Sequence, residues 1–239
     1  MTRQGPRSIK EQLSDLHYEI AAGREFGKPE EVPYIDHATL VSIARQRPPR
    51  NPIPTVSSFA DWVIGLYYHG RNQSALRMGI EGEAIAEGIR TLRRQAAARR
   101  PDRGWEIEFK DDDEAEPYVI SALKLNGKSL RAKPDRVLRQ VSTGVRRIVE
   151  IKTTSSRIPR QGWPNMKVQL WCYGMIDAWA KAPKVLLMGE ILLLRYGKLL
   201  HFHRTKPWDS KDPRIDAECA ELFALWGGQR VQRKGANAL

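Results

Sequence analysis

From Trp105 onward the hydropathy of the chain repeats every two residues, and charged side chains interrupt that repeat where a strand would otherwise be apolar. The segments WEIEF (105–109), YVISALKL (118–125), KSLRAKPDRVLRQV (128–141) and VRRIVEIKTT (145–154) read as successive strands. Asn126-Gly127 is the strongest short signal for a hairpin turn, and Ser142-Thr143-Gly144 joins the last two strands. Alternate side chains of a strand share a face, so Glu150 and Lys152 point the same way. The intervening hairpin is short enough to bring Asp135 beside them. Their neighbours Val137, Ile148, Val149 and Ile151 are apolar. Charges in such surroundings are costly unless a metal or a charged partner compensates.

Helical patterns surround this strand series. Ile9 to Ala22 carries apolar residues at helical spacing, and Gly23 ends it. RQRPPRNPIP (45–54) is expected to be a linker or wrapped arm. Ser57 or Ser58 is placed to cap a helix through FADWVIGLYYHG (59–70), whose aromatics suit a core. A longer helix is expected from about Ser74 to Arg99. Its terminal arginines (Arg93, Arg94, Arg99, Arg100) suit the negative end of the helix dipole and need no further role. Another helix is expected from about Asn165 to Ala180, then strands VLLMGEILLLR (185–195) and KLLHFHR (198–204) joined at Tyr196-Gly197. A last helix runs from Asp212-Pro213 to Trp226. The expected fold is α/β, a mixed sheet flanked by helices. Its divisions are an N-terminal helical and loop extension (1–55), a core (56–207), and a C-terminal helix and tail (208–239).

The chemistry of the central triplet is specific. Hydrolysis of a phosphodiester needs an activated water and a stabilised leaving alkoxide. Hard divalent cations such as Mg²⁺ or Mn²⁺ take oxygen ligands, which Asp135 and Glu150 supply and to which the Ile151 carbonyl can add. Lys152 is placed to position or deprotonate water, or to steady charge on the phosphorus. Taken alone the triplet also fits a surface ion pair between neighbouring strands, because short motifs recur by chance.

Two further blocks flank it. GIEGEAIAE (79–87) sets Gly79, Glu83 and Glu87 on one helical face, and QLWCYG (169–174) sets Gln169 and Tyr173 on another. With GKSLRAKPDRV and VEIKTT, the series resembles the RecB-like and lambda-exonuclease-like branch of the PD-(D/E)xK nuclease superfamily. The resemblance spans about residues 57–205 and implies an α/β fold with a restriction-endonuclease-like core and the activity of a metal-dependent deoxyribonuclease. It implies that Glu83 is a third carboxylate at the metal, with Asp135, Glu150 and the Ile151 carbonyl as ligands. Lys152 would be the catalytic lysine, and Gln169 and Tyr173 would lie beside it near nucleic acid. Glu87 also fits a plain pairing with an arginine one turn away. Glu83 stands where many RecB-like members have His.

Composition sets bounds. Forty Lys and Arg against 28 acids give a net charge of +12, which favours a polyanion but does not by itself separate DNA from RNA or an acidic membrane; the resemblance makes DNA the expected partner, with RNA left open. Arg157 and Arg160, in the loop SSRIPRQGWP (155–164), are the expected phosphate contacts. Trp163 beside them suits packing better than base stacking. Two cysteines, Cys172 and Cys219, supply neither a disulfide framework nor the four ligands of an iron–sulfur cluster. No run approaches the roughly 18 apolar residues of a membrane span. The N-terminus has no apolar export signal, so a cytoplasmic protein is expected. His201 and His203 alternate on a strand without metal-ligand spacing, and Gly127-Lys128-Ser129 lacks the upstream glycine of a nucleotide-phosphate loop. A nuclease-fold subunit that binds nucleic acid without cutting it is the alternative reading.

Overall fold

The computed structural model describes residues 35–69, 91, 93–111, 115–154, 162–195 and 198–231. The expected helix over 9–22, the block bearing Gly79, Glu83 and Glu87, and the loop arginines Arg157 and Arg160 lie outside these residues. Four helices are named here: α1 (His37–Gln46), α2 (Val56–His69), α3 (Pro164–Tyr173) and α4 (Pro213–Leu225). A helical segment also covers 93–97. The strands are β1 (Trp105–Lys110), β2 (Tyr118–Leu125), β3 (Lys128–Ala132), β4 (Arg136–Gln140), β5 (Arg146–Thr154), β6 (Val185–Arg195), β7 (Lys198–Arg204), β8 (Trp208–Asp209) and β9 (Gly228–Arg230).

The main sheet runs β1-β4-β5-β6-β7, with β8 also on β6; a second sheet runs β3-β2-β9. Strands β5 and β6 are parallel and the other pairs antiparallel, so the main sheet is mixed. Helices lie on both of its faces. Side chains of β5 alternate between two cores: Ile148 joins the larger one with α1, α2, α3 and α4, while Val149 and Ile151 join Ala96, Ala97, Met188, Leu192 and Phe202. The period of two read from the sequence therefore divides real layers.

Local chemistry explains most of the boundaries. Asn126 (φ 50°) and Gly127 (φ 76°) form the β2–β3 turn, the left-handed pair that a tight hairpin requires. The Asp212 carboxylate accepts from the amides of Arg214 and Ile215 at 3.0 and 3.4 Å, capping α4. Among the described residues no helix is long and apolar enough to cross a membrane.

Several expectations are corrected. KSLRAKPDRVLRQV is not one strand: it breaks at Lys133-Pro134-Asp135, β3 staying with β2 while β4 enters the main sheet. Pro134 lacks an amide to donate to a ladder, which suits a point where the chain changes sheets. The helix expected to reach Ala180 ends at Tyr173, and a 3₁₀ turn follows at Asp177–Trp179. A Cβ at Gly174 would lie 2.8 Å from the Ser210 Cβ and 3.3 Å from Leu187, so the chain crosses its neighbours there at a distance only glycine allows. The cap of α2 is Thr55, whose hydroxyl accepts from the Ser58 amide at 3.1 Å; the Ser58 hydroxyl instead accepts from Ile53. The proline-rich arm is pinned, with the Pro54 carbonyl accepting from the Arg131 amide and the Arg47 carbonyl from the Trp62 indole.

The described part of 208–239 shares the main core with the residues before it. Phe223 and Trp226 pack on Phe59 of α2 with ring centroids 5.3 Å apart, and β9 extends the β2 sheet.

Candidate active site

Strand β4 begins one residue after Asp135, and its ladder with β5 starts at Arg136↔Val149. The amide of Ile151 lies just beyond that ladder. It donates instead to Asp135 Oδ2 at 2.5 Å, so a carboxylate continues what the backbone has stopped doing. This bond fixes Asp135 against β5. Glu150, the preceding residue on β5, is 1% exposed and Asp135 is 4% exposed.

Two cations meet these acids. An Arg93 guanidinium nitrogen lies 2.7 Å from Asp135 Oδ1 and 3.9 Å from Glu150 Oε1. Lys152 Nζ lies 2.7 Å from the same Glu150 oxygen. The structure thus brings together Asp135, Glu150 and Lys152. It adds Arg93, which the sequence reading dismissed as a helix-end cation; that reading is corrected, because its charge goes to the carboxylates. The signal was absent from local sequence, since it depends on how the 93–97 helix sits on the sheet.

Burial first, and then the neighbouring Glu150 charge, raise the Asp135 carboxyl to about 7 against the pull of Arg93. Burial works against the Arg93 charge, but Asp135 and Glu150 more than offset it and hold the guanidinium protonated. The acids therefore sit in a place that demands positive charge between them. Buried carboxylate oxygens with that demand fit a hard divalent cation. Among the described residues no group of three or more His, Cys, Asp or Glu side chains gathers in metal-binding geometry; Asp135 and Glu150 are two buried carboxyls there, with the Ile151 carbonyl between Glu150 and Lys152 in sequence.

The resemblance sets Gln169 and Tyr173 beside Lys152 near nucleic acid; the structure places them within α3. Both are buried in α3. Gln169 Nε2 lies 3.5 Å from the Tyr173 hydroxyl, and that hydroxyl donates to the Lys133 carbonyl at 3.3 Å. Burial, then the charges of Glu150 and Asp135, push the Tyr173 phenol well above its ordinary value, so it remains a donor. The Tyr173 hydroxyl thus meets both the backbone two residues before Asp135 and the Glu150 carboxylate.

A second residue absent from the sequence reading is Asp61 of α2. Crowding raises its carboxyl while the Lys152 charge pulls it down, although the residue as a whole remains exposed. The Lys152 ammonium thus has acidic neighbours on two elements.

On the other sheet face, Glu190 is fully buried and its Oε1 meets Arg136 at 2.9 Å, Arg204 at 3.1 Å and Arg99 at 3.3 Å. Arg136 also donates to the Ala96 carbonyl. The helix that carries Arg93 is therefore tied down through Ala96 and Arg99 as well. Trp163 is buried and Cys172 fully so, as core packing requires. His203 is half-buried on β7. A groove of about 900 Å³ between α3, α4 and residues 203–209 is lined by Trp163, Lys167, Lys206, Arg214 and Glu218 and does not include Asp135 or Glu150.

No protein-family model and no curated protein sequence matches the chain. Among solved structures the fold is similar to that of an alkaline exonuclease from Laribacter hongkongensis, with a TM-score of 0.31 and 12% identity over 90% of each chain.

Proposed function

We propose that the chain is a divalent-metal-dependent nuclease that hydrolyses DNA phosphodiester bonds. One observation carries the reading: two buried carboxylates on adjoining chain segments share a single cation, with a lysine on the same acid. A divalent ion, when bound, supplies Lewis acidity and an acidified water. Asp135 and Glu150 would hold it, with the Ile151 carbonyl and Glu83 as further oxygen donors. Lys152 Nζ would position the attacking water and balance charge on the scissile phosphate as an ammonium, or take up the water's proton after first passing its own to solvent. Gln169 and Tyr173 would position Asp135 by holding the Lys133 carbonyl. Arg157 and Arg160 would meet phosphate, where the net charge of +12 favours a polyanion.

A nuclease-fold subunit that binds without cutting is the second reading, and Arg93 favours it, since an arginine already neutralises the acids. End-labelled linear DNA and covalently closed circular DNA, each incubated with and without Mg²⁺ or Mn²⁺, separate the two. Metal-dependent breakage supports the nuclease, and loss of the closed circle adds an endonucleolytic mode. Binding without breakage in either metal supports the second reading.

A further inference from the structure

Arg93 occupies the place where the two carboxylates converge. Its nitrogen approaches both Asp135 Oδ1 and Glu150 Oε1, and it comes from a helix whose Ala96 and Ala97 cover the opposite side of the sheet. A side chain reaching that far to a buried acid pair is an internal counter-ion. A divalent cation bound to the same oxygens would put two further positive charges against the guanidinium at contact distance, a repulsion that low-dielectric surroundings magnify. Both cannot stay. The arginine has somewhere to go, because its side chain is 35% exposed and its Nε is buried without a hydrogen-bond partner among the described residues. Once displaced, a guanidinium beside a metal site finds its best partner in a phosphate oxygen, which it grips in a planar fork.

We infer that Arg93 is a displaceable counter-ion of the Asp135–Glu150 pair, released by the divalent ion and then engaged with the backbone phosphate of the nucleic acid. The inference rests on the proposed nuclease reading for the identity of that phosphate. The release half rests on the carboxylate pair alone.

The order of events has a measurable consequence: the metal binds a state in which the arginine has already left, so its apparent affinity is lowered by the population of that state. Mn²⁺ binding to the whole chain, without nucleic acid, should be tighter in Arg93→Gln than in the wild type by about fivefold or more, the low end of ordinary coupling between sites. Arg93→Lys keeps a charge on a side chain with fewer contacts and should also bind Mn²⁺ more tightly than the wild type. It carries the test if the glutamine variant does not fold without metal. In Ca²⁺ the same variants should bind a short DNA duplex more weakly than the wild type. Equal or weaker Mn²⁺ binding in the variants overturns the release, and unchanged DNA affinity in Ca²⁺ overturns the phosphate contact. Neither readout needs cleavage. A chain that shows both effects yet leaves DNA intact in Mg²⁺ and Mn²⁺ sinks the nuclease reading and keeps this one. A chain that takes up no Mn²⁺ in any form sinks both.

Discussion

Asp135 and Ile151 are joined by a hydrogen bond from the Ile151 amide to a carboxylate oxygen, at the point where the β4–β5 ladder ends. One oxygen of Asp135 is spent on the backbone of the next strand, and the other faces Arg93. The side chain has little rotational freedom left. A carboxylate held in this way meets a cation without first paying to be ordered.

Lys152 stands on the same acid that meets Arg93, and its proposed role is proton handling. Lys152→Ala should lower cleavage by about 100-fold or more, the scale of a positioned acid or base. DNA affinity should stay within a few-fold of wild type. Filter binding of the variant beside its cleavage rate checks both, and a variant cutting at the wild-type rate removes Lys152 from the mechanism.

The pH dependence of stability follows from Asp135. Its folded carboxyl is raised from 3.8 to about 7, so between those values the folded chain keeps a proton that the unfolded chain has released. The metal-free protein should lose stability as pH rises through that window and level off above about 7. Asp135→Asn should remove that slope and weaken Mn²⁺ binding as well. Urea unfolding of both proteins from pH 4.5 to 8 tests the slope; parallel profiles would contradict it.

Tyr173→Phe deletes the bond to the Lys133 carbonyl while keeping the ring. The expected cost is about 1 kcal/mol in unfolding free energy, the usual net worth of one such bond. If the hydroxyl positions Asp135, Mn²⁺ affinity should fall as well. A loss of stability with metal affinity unchanged would leave Tyr173 a structural residue only.

Glu190→Gln strips the charge that three arginines share on the far sheet face. Removing one member of a buried ionic group costs about 3–5 kcal/mol. Thermal unfolding should show that loss, and metal affinity should weaken indirectly through the loosened 93–97 helix. A melting temperature within a degree of wild type would mean that the cluster carries little stability.

The acidic and lysine residues of β5 were legible because alternation along a strand and the reach of a short hairpin are local properties. Gly127, Asp212 and the buried run of β6 were legible for the same reason. What could not be read depends on which element packs against which. The change of sheet at Lys133-Pro134-Asp135 is decided by partners on two separate sheets, and β5 takes a parallel neighbour more than thirty residues downstream. Where α3 ends, Ser210 and Leu187 come closer to Gly174 than a Cβ would permit, a contact made by elements far away in sequence. Arg93 was misread because a basic helix end has an adequate local explanation, and only the docked helix shows what its guanidinium touches. Gln169 and Tyr173 were found as a pair, while their burial and inward bonds depend on packing against the Lys133 segment.

Strand β5 is matched along its whole length on one edge by parallel β6, from Arg146↔Val185 to Thr154↔Leu193, and on the other by antiparallel β4 from Arg146 to Val149. Beyond Val149 the Asp135 carboxylate takes the Ile151 amide and ties that edge in place of the ladder. The residues proposed to do the chemistry are therefore sewn into the seam of the domain, and warming should inactivate the protein only as the whole sheet comes apart, in one step and with no dead but still folded form beforehand.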